Sequence, residues 1–230
     1  MSSSELLPHI EIIHNPNNQP IDRAVIWLHG LGASGDDFVP VVPELGLDGR
    51  HGVRFIFPHA PRIPVTVNGG YVMPAWYDIL EINLSRKVDS AQIAASAQRV
   101  RDLIAAQNAQ GIATHHIVLA GFSQGGAVAY HTALSHPEPL AGLLALSTYL
   151  ATQDQLATLS PAQHAANHHL PIAIHHGTRD NIVPEALGQQ AYDWLSARGY
   201  APTYHTYPMA HQVCLPEIQT IGRWLNRVLA

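Results

Sequence analysis

Short apolar segments recur along the chain and are separated by longer amphipathic or irregular stretches. Nearly continuous apolar runs of this length are typical of strands buried on both faces of a parallel sheet. Six such runs occur: RAVIWLH from Arg23, VRFIFP from Val53, HIVLAG from His116, LAGLLALS from Leu140, PIAIHHG from Pro171 and TYHTYP from Thr203. The opening HIEIIH alternates apolar and polar positions instead, which predicts an antiparallel edge strand.

Helical periodicity fills several of the intervals between these runs. The clearest pattern begins near Asp89 and closes at Gly111, a second extends from Pro184 to Arg198, and a third starts at Pro216. Proline is well suited to the first turn of a helix, and glycine to the position after its end. The alternation of strands and helices predicts an α/β fold with a mostly parallel, doubly wound sheet and helices on both faces.

One segment, at about residues 58–87, does not follow this alternation. It carries four prolines, a Gly69-Gly70 pair and the aromatic residues Tyr71, Trp76 and Tyr77. A loop of this length in a compact fold is usually functional or disordered, and the aromatic residues favour an ordered structure. We therefore expect residues 1–230 to form one domain with an excursion at about 58–87 near the active site.

Composition and charge exclude several classes of function. The chain is 47% hydrophobic and 13% charged, with a net charge of −5, so it lacks the basic surplus that nucleic acid binding requires. The longest apolar stretch, from Leu140, is well short of the roughly 20 residues that span a bilayer, and no export signal is recognised. The single cysteine, Cys214, cannot form an internal disulfide. These features predict a soluble cytoplasmic protein with no membrane segment.

The sixteen histidines do not have the spacing of metal ligands. Several are adjacent pairs, and neighbouring residues on a strand point to opposite faces of the sheet. Neither an H-E-x-x-H nor a C-x-x-C motif is present. We therefore expect no metal site and no cofactor.

The sequence LAGFSQGGAVA places Ser123 between glycines at the end of a predicted strand. Gly121 to Gly125 has the G-x-S-x-G pattern, in which a serine occupies a strained turn between strand and helix and exposes its hydroxyl. The flanking residues need to be glycine because neighbouring elements approach closely. This context favours a nucleophile over a purely structural turn.

A nucleophilic serine needs a base and an acid that orients the base, and in this type of fold they follow in the order Ser, Asp, His. Asp180 follows the strand PIAIHHG, and His211 follows the strand TYHTYP. Active sites of doubly wound sheets lie at the carboxyl ends of the strands, which is where these two residues are expected. The alternatives are a turn or capping aspartate and an ordinary histidine.

An oxyanion hole needs backbone N–H groups aimed at the developing charge. The N–H of Gln124, the residue after the nucleophile, is the first expected donor. The second is the N–H of Leu31 in WLHGLGASGDDF, because Gly30 and Gly32 allow the backbone to turn inward. A flexible glycine turn is the structural alternative.

Six ordered blocks resemble the carboxylesterase and acyl-protein thioesterase family of α/β-hydrolases, also called the phospholipase/carboxylesterase family. They extend over nearly the whole chain: LHGLGASGDDF, PHAP, MPAWYDI, GFSQGG, HGTRDNIVP and MAHQV. The resemblance implies an α/β-hydrolase fold, a triad of Ser123, Asp180 and His211, and oxyanion donors at Leu31 and Gln124. It also implies a homodimer.

Together these features predict a metal-independent serine carboxylesterase that hydrolyses short- to medium-chain carboxylic esters through an acyl-enzyme. An acyl-protein thioesterase or lysophospholipase would use the same residues. A hydrolase-like binding protein without catalysis is an alternative of another class. Trp76 is a candidate wall of the substrate pocket, with ordinary core packing as its alternative.

Overall fold

The structure is a computed structural model that describes residues 5–81, 87–160 and 165–230. These residues form nine strands: β1 (His9–His14), β2 (Ile21–Leu28), β3 (Gly52–Pro58), β4 (Arg62–Val65), β5 (Tyr71–Pro74), β6 (Ile117–Phe122), β7 (Gly142–Leu146), β8 (Ile172–Gly177) and β9 (Thr203–Tyr207). Seven of them build one sheet in the order β1-β3-β2-β6-β7-β8-β9. Strand β1 is antiparallel to β3, and every other neighbouring pair is parallel. The predicted sheet and its antiparallel edge strand are confirmed.

The described helices are α1 (Ser90–Ala109), α2 (Gln124–Leu134), α3 (Gln153–Ala157), α4 (Glu185–Ser196) and α5 (Leu215–Val228). Asp89 caps α1, because its carboxylate accepts a hydrogen bond from the N–H of Gln92 at 3.0 Å. A long 3₁₀ helix at Gly35–Leu45 follows β2. Among the described residues, no helix combines the length and the apolar composition that crossing a membrane requires.

Two apolar layers cover the sheet because successive strand residues point to opposite faces. On β2, Ile26 and Leu28 pack in the layer that contains residues of α1, α2, α3 and α4. Val25 and Trp27 pack in the other layer, with residues of the 3₁₀ helix and α5. Helices therefore lie on both faces of the sheet, as predicted.

The chain between β3 and α1 contains the predicted excursion. Strands β4 and β5 pair as a separate antiparallel hairpin around a short 3₁₀ helix at Thr66–Asn68. The hairpin is joined to the loop after β2 by a hydrogen bond from the N–H of Gly32 to the carbonyl of Pro74, at 2.8 Å. Residues 82–86 of the excursion lie outside the described residues.

Candidate active site

Ser123 occupies a sharp turn between β6 and α2. Its backbone has φ 53° and ψ −120°, a conformation that L-residues rarely adopt. The N–H of Ser123 donates to the carbonyl of Leu146 on the neighbouring strand at 2.9 Å, which helps to hold the turn. Strained backbone of this kind persists where the surrounding structure imposes it, and it is concentrated at functional sites.

Glycine is required on both sides of Ser123. A Cβ atom on Gly121 would lie 2.5 Å from the backbone of Gly125, and a Cβ atom on Gly125 would lie 2.5 Å from the carbonyl oxygen of His29. Both contacts involve backbone atoms, which have little freedom to move. The absence of Cβ atoms therefore allows α2 to pack closely against β6 and the end of β2.

The structure brings the three residues of the predicted triad together. The Nε2 atom of His211 lies 2.9 Å from Ser123 Oγ, and its Nδ1 atom lies 2.7 Å from Asp180 Oδ2. An ionised carboxylate only accepts hydrogen bonds, so His211 Nδ1 carries a proton and Nε2 is free to accept one from Ser123. The side chain of Asp180 is fully buried, and that of His211 is 16% exposed.

The surroundings of Asp180 keep it ionised. Burial alone raises the pKa of this carboxyl, but hydrogen bonds from His211 and from the N–H groups of Val183 and Ile182 outweigh it and lower the pKa below its ordinary value. The buried side chain of His176 lies nearby and donates from Nε2 to the carbonyl of Val183 at 2.8 Å. Burial lowers the pKa of His176, so it stays neutral and adds no second positive charge.

The predicted oxyanion donors are the backbone N–H groups of Leu31 and Gln124. Both residues line the cavity that contains Ser123 and His211. Within the part of the chain that the structure describes, neither N–H donates a backbone hydrogen bond. A Cβ atom on Gly30 would lie 3.5 Å from the Cβ atom of Ser123, so the loop after β2 passes directly beside Ser123. The N-terminus of α2 also directs its positive end to this point.

A largely apolar cavity of about 380 Å³ opens at Ser123. Val67, Asn68 and Ile79 of the excursion line it. Trp76, predicted as a wall residue, is not among the residues that line this cavity; it is 1% exposed and donates its indole N–H to the carbonyl of His29 at 2.8 Å. Trp76 is therefore a buried residue of the core, which is the alternative that the sequence left open.

Two residues of the site were missed from the sequence. The hydroxyl of Thr148 donates to the carbonyl of Ser123 at 2.6 Å, and Tyr149 lines the cavity. Both follow β7, which pairs with β6, the strand that precedes Ser123. The rule that sites collect at the carboxyl ends of neighbouring strands was the available signal for them.

The buried histidines use protein groups as hydrogen-bond partners. His131 bonds to the hydroxyl of Thr152, and His175 bonds to that of Tyr207. Burial lowers the pKa of both imidazoles, to about 4 for His131 and about 3 for His175. Across residues 5–81, 87–160 and 165–230, no group of three or more His, Cys, Asp or Glu side chains is placed to hold a metal ion.

Comparison with known proteins identifies relatives over almost the whole chain. The phospholipase/carboxylesterase family model matches residues 8–229. Acyl-protein thioesterase 1 of Neurospora crassa is 40% identical over 212 residues, which cover 89% of this chain and 86% of that protein.

Solved structures agree with this relationship. Arabidopsis thaliana SOBER1 superposes with a TM-score of 0.83 at 28% identity, covering 90% of this chain and 99% of that one. Zea mays acyl-protein thioesterase 2 gives a TM-score of 0.83 at 25% identity, covering 96% and 99%. The fold is that of the α/β-hydrolases. The chain belongs to the phospholipase/carboxylesterase family, a family of serine hydrolases.

Proposed function

We propose that this protein cleaves acyl esters through an acyl-enzyme formed on Ser123. The observation that carries the proposal is the chain of hydrogen bonds from Asp180 through His211 to Ser123 Oγ, located where a strained turn opens into an apolar cavity. A serine hydroxyl is a weak nucleophile until an adjacent base accepts its proton. The membership of the family supports the same class of chemistry.

In the first half of the proposed reaction, Ser123 Oγ attacks the acyl carbonyl carbon while His211 Nε2 takes its proton. Asp180 holds the proton on Nδ1 and stabilises the imidazolium that forms. Hydrogen bonds from the N–H groups of Leu31 and Gln124 stabilise the negative charge that develops on the carbonyl oxygen. When the tetrahedral intermediate collapses, the leaving sulfur or oxygen atom departs and receives the proton from His211.

In the second half, a water molecule hydrolyses the acyl-enzyme. His211 accepts a proton from the water, whose oxygen attacks the acyl carbon of the Ser123 ester. Collapse of the second tetrahedral intermediate returns the proton to Ser123 Oγ and releases a carboxylic acid. The balance is one ester and one water converted to one acid and one thiol or alcohol.

The leading substrate class is the thioester of an acylated protein. Relatives that carry the name acyl-protein thioesterase 1 are 34 to 40% identical to this chain, and the apolar cavity suits an acyl chain. A second candidate is a carboxylesterase acting on short- to medium-chain oxygen esters. It is supported by the modest cavity, which lies toward the small end of the range of about 300–1,000 Å³ for ligand sites.

The test is a series of acetyl, butyryl, octanoyl and palmitoyl chains, each on an oxygen and on a sulfur leaving group. A preference for octanoyl and palmitoyl thioesters supports the thioesterase, and a preference for butyryl oxygen esters supports the carboxylesterase. A fluorophosphonate should label the protein, and Ser123→Ala should abolish both labelling and turnover, lowering turnover by several orders of magnitude. Retention of more than about a tenth of the activity by that variant would contradict the proposal.

An unlabelled, inactive wild-type protein would instead favour the binding protein without catalysis. The homodimer, the cytoplasmic location and the single domain over residues 1–230 stay predictions.

A further inference from the structure

Trp76 contacts both elements that carry the proposed oxyanion donors. Its indole N–H donates to the carbonyl of His29, two residues before Leu31, at 2.8 Å. Its backbone N–H donates to Oε1 of Gln124, also at 2.8 Å. Trp76 is therefore bonded both to the loop after β2 and to the first residue of α2. These two parts of the chain are far apart in sequence, and each carries one proposed oxyanion donor.

The carboxamide of Gln124 is held at both ends. Its oxygen accepts from the N–H of Trp76, and its Nε2 atom donates to the carbonyl of Tyr77 at 2.6 Å. Gln124 is 2% exposed, so water does not compete for these bonds. A buried amide that uses both donor and acceptor ends keeps a single orientation. The backbone of Gln124 is fixed together with its side chain.

The ring of His29 is hydrogen-bonded within the loop after β2, which carries the other proposed donor, Leu31. Its Nδ1–H donates to the carbonyl of Gly30 at 2.7 Å, and its Nε2 accepts from the N–H of Ala60 at 3.1 Å. Burial lowers the pKa of His29, so the ring stays neutral and keeps one donor and one acceptor. The ring also packs against the indole of Trp76, with centroids 5.2 Å apart.

We infer that Trp76 is a positioning residue for the oxyanion hole, holding the N–H groups of Leu31 and Gln124 at the spacing that a single oxyanion requires. The inference rests on the proposed function. Such donors are effective because they are already oriented when the charge develops. A misplacement of about 1 Å lowers the rate by about 100-fold, even when its cause lies away from the reacting atoms.

Two variants separately remove the hydrogen bond from Trp76 to His29 and the hydrogen bond from Trp76 to Gln124. Trp76→Phe keeps an aromatic ring and removes the indole N–H. Gln124→Met keeps the backbone N–H at this position and removes both side-chain hydrogen bonds. Trp27→Phe is the matched control, because Trp27 is also 1% exposed, lies in the layer on the other face of the sheet, and its indole N–H has no hydrogen-bond partner within the described residues.

The readouts are kcat, KM, the melting temperature and the Ki of an alkyl trifluoromethyl ketone, which forms a tetrahedral adduct on a catalytic serine. We expect Trp76→Phe and Gln124→Met to lower kcat by about 10- to 100-fold with little change in KM. The Ki of the ketone should rise by the same factor as kcat/KM falls. Trp27→Phe should lower the melting temperature without changing kcat or Ki.

The inference is overturned if kcat and the Ki of both variants stay within about twofold of wild type, or if only KM rises, because a KM effect alone indicates uniform substrate binding. If Trp76→Phe does not fold, Gln124→Met decides by the same criteria. A failure of the proposed function looks different: wild-type protein then neither turns over esters nor binds the ketone, and the inference falls with it. When only the inference fails, wild-type protein passes both tests.

Discussion

At the scale of single residues, the bond to Asp180 determines which nitrogen of His211 faces Ser123. Its Oδ2 accepts from His211, and its Oδ1 accepts from the N–H groups of Ile182 and Val183. In Asp180→Asn, the two backbone N–H groups still require the amide oxygen, so the amide NH₂ would face His211. The imidazole would then favour the tautomer with its proton on Nε2, which cannot act as a base toward Ser123.

We therefore expect Asp180→Asn to lower kcat by up to about 10⁴-fold while the protein stays folded. Steady-state kinetics on one ester, with circular dichroism as the check on folding, measures this. Asp193→Asn is the control, because Asp193 is an exposed residue of α4. A folded Asp180→Asn enzyme with a loss of less than about tenfold would contradict the role given to Asp180.

The candidate site was predictable where local pattern and topology both mark a residue. Ser123 stands in a glycine pattern after β6, and Asp180 and His211 each follow a strand that ends at the same edge of the sheet. The location of Trp76 was not predictable. It depends on contacts with His29 and Gln124, which lie 47 and 48 residues away in the chain. No local pattern distinguishes a tryptophan packed in the core from one that lines a cavity.

At the scale of elements, strands and helices with a clear period were predicted, and irregular ones were not. The hairpin of β4 and β5 was missed because each strand has four residues and contains a proline, at Pro64 and Pro74. The 3₁₀ helix at Gly35–Leu45 also contains two prolines, which disrupt helical hydrogen bonding. The strand predicted from Leu140 begins at Gly142, since the N–H of Leu140 donates to the side chain of Asn167.

The start of α5 contains a buried acid with a consequence for stability. Glu217 is fully buried, and one of its oxygens accepts from the N–H of Cys214 at 3.3 Å. Burial raises the pKa of Glu217 to about 8 from 4.5, against the smaller opposing effect of that hydrogen bond. Above pH 4.5, the folded protein therefore keeps a proton on Glu217 that the unfolded chain has released. The contribution of this proton to the free energy of unfolding is fully present below pH 4.5 and is lost as the pH rises through about 8.

We expect Glu217→Gln to flatten the pH dependence of the unfolding free energy. Between about pH 5 and pH 8, Glu217 contributes a decrease of up to about 1.4 kcal/mol per pH unit in the wild-type protein. Glutamine still accepts the bond from Cys214 and has no proton to lose. Denaturant unfolding at several pH values measures the slope. Glu44→Gln, at an exposed position, should keep the wild-type slope, and equal slopes for Glu217→Gln and wild type would exclude the buried proton.

At the scale of the whole molecule, separate parts of the chain meet around one cavity. The loop after β2 contributes Leu31, the turn between β6 and α2 contributes Ser123, and the loops after β8 and β9 contribute Ile182 and His211. These loops follow parallel strands, so the sheet delivers them to one edge. The excursion adds Val67, Asn68 and Ile79 to the wall of this cavity, and none of the three lies on a strand of the main sheet. On the proposed function, we expect substitutions at the excursion residues that line the cavity, Val67, Asn68 and Ile79, to change acyl-chain selection without removing the chemistry at Ser123.

Ile79 is the residue of the excursion that tests this division. It lines the cavity and is 5% exposed, so its side chain occupies space that an acyl chain would otherwise enter. Ile79→Ala should move the chain-length optimum to longer acyl groups. Each further methylene that the enlarged cavity accepts contributes about 0.8 kcal/mol, or about a fourfold gain in kcat/KM for that chain relative to butyryl.

The measurement is kcat/KM across the acyl series for wild type and for two alanine variants. Ile112→Ala is the control, because Ile112 is a buried core residue that is not among those lining the cavity. Both variants should lose about 2–5 kcal/mol of stability, since each removes a buried side chain. Only Ile79→Ala should move the optimum, while fluorophosphonate labelling of Ser123 continues in both. An optimum that moves equally in the two variants, or in neither, would show that the excursion does not limit acyl length at this position.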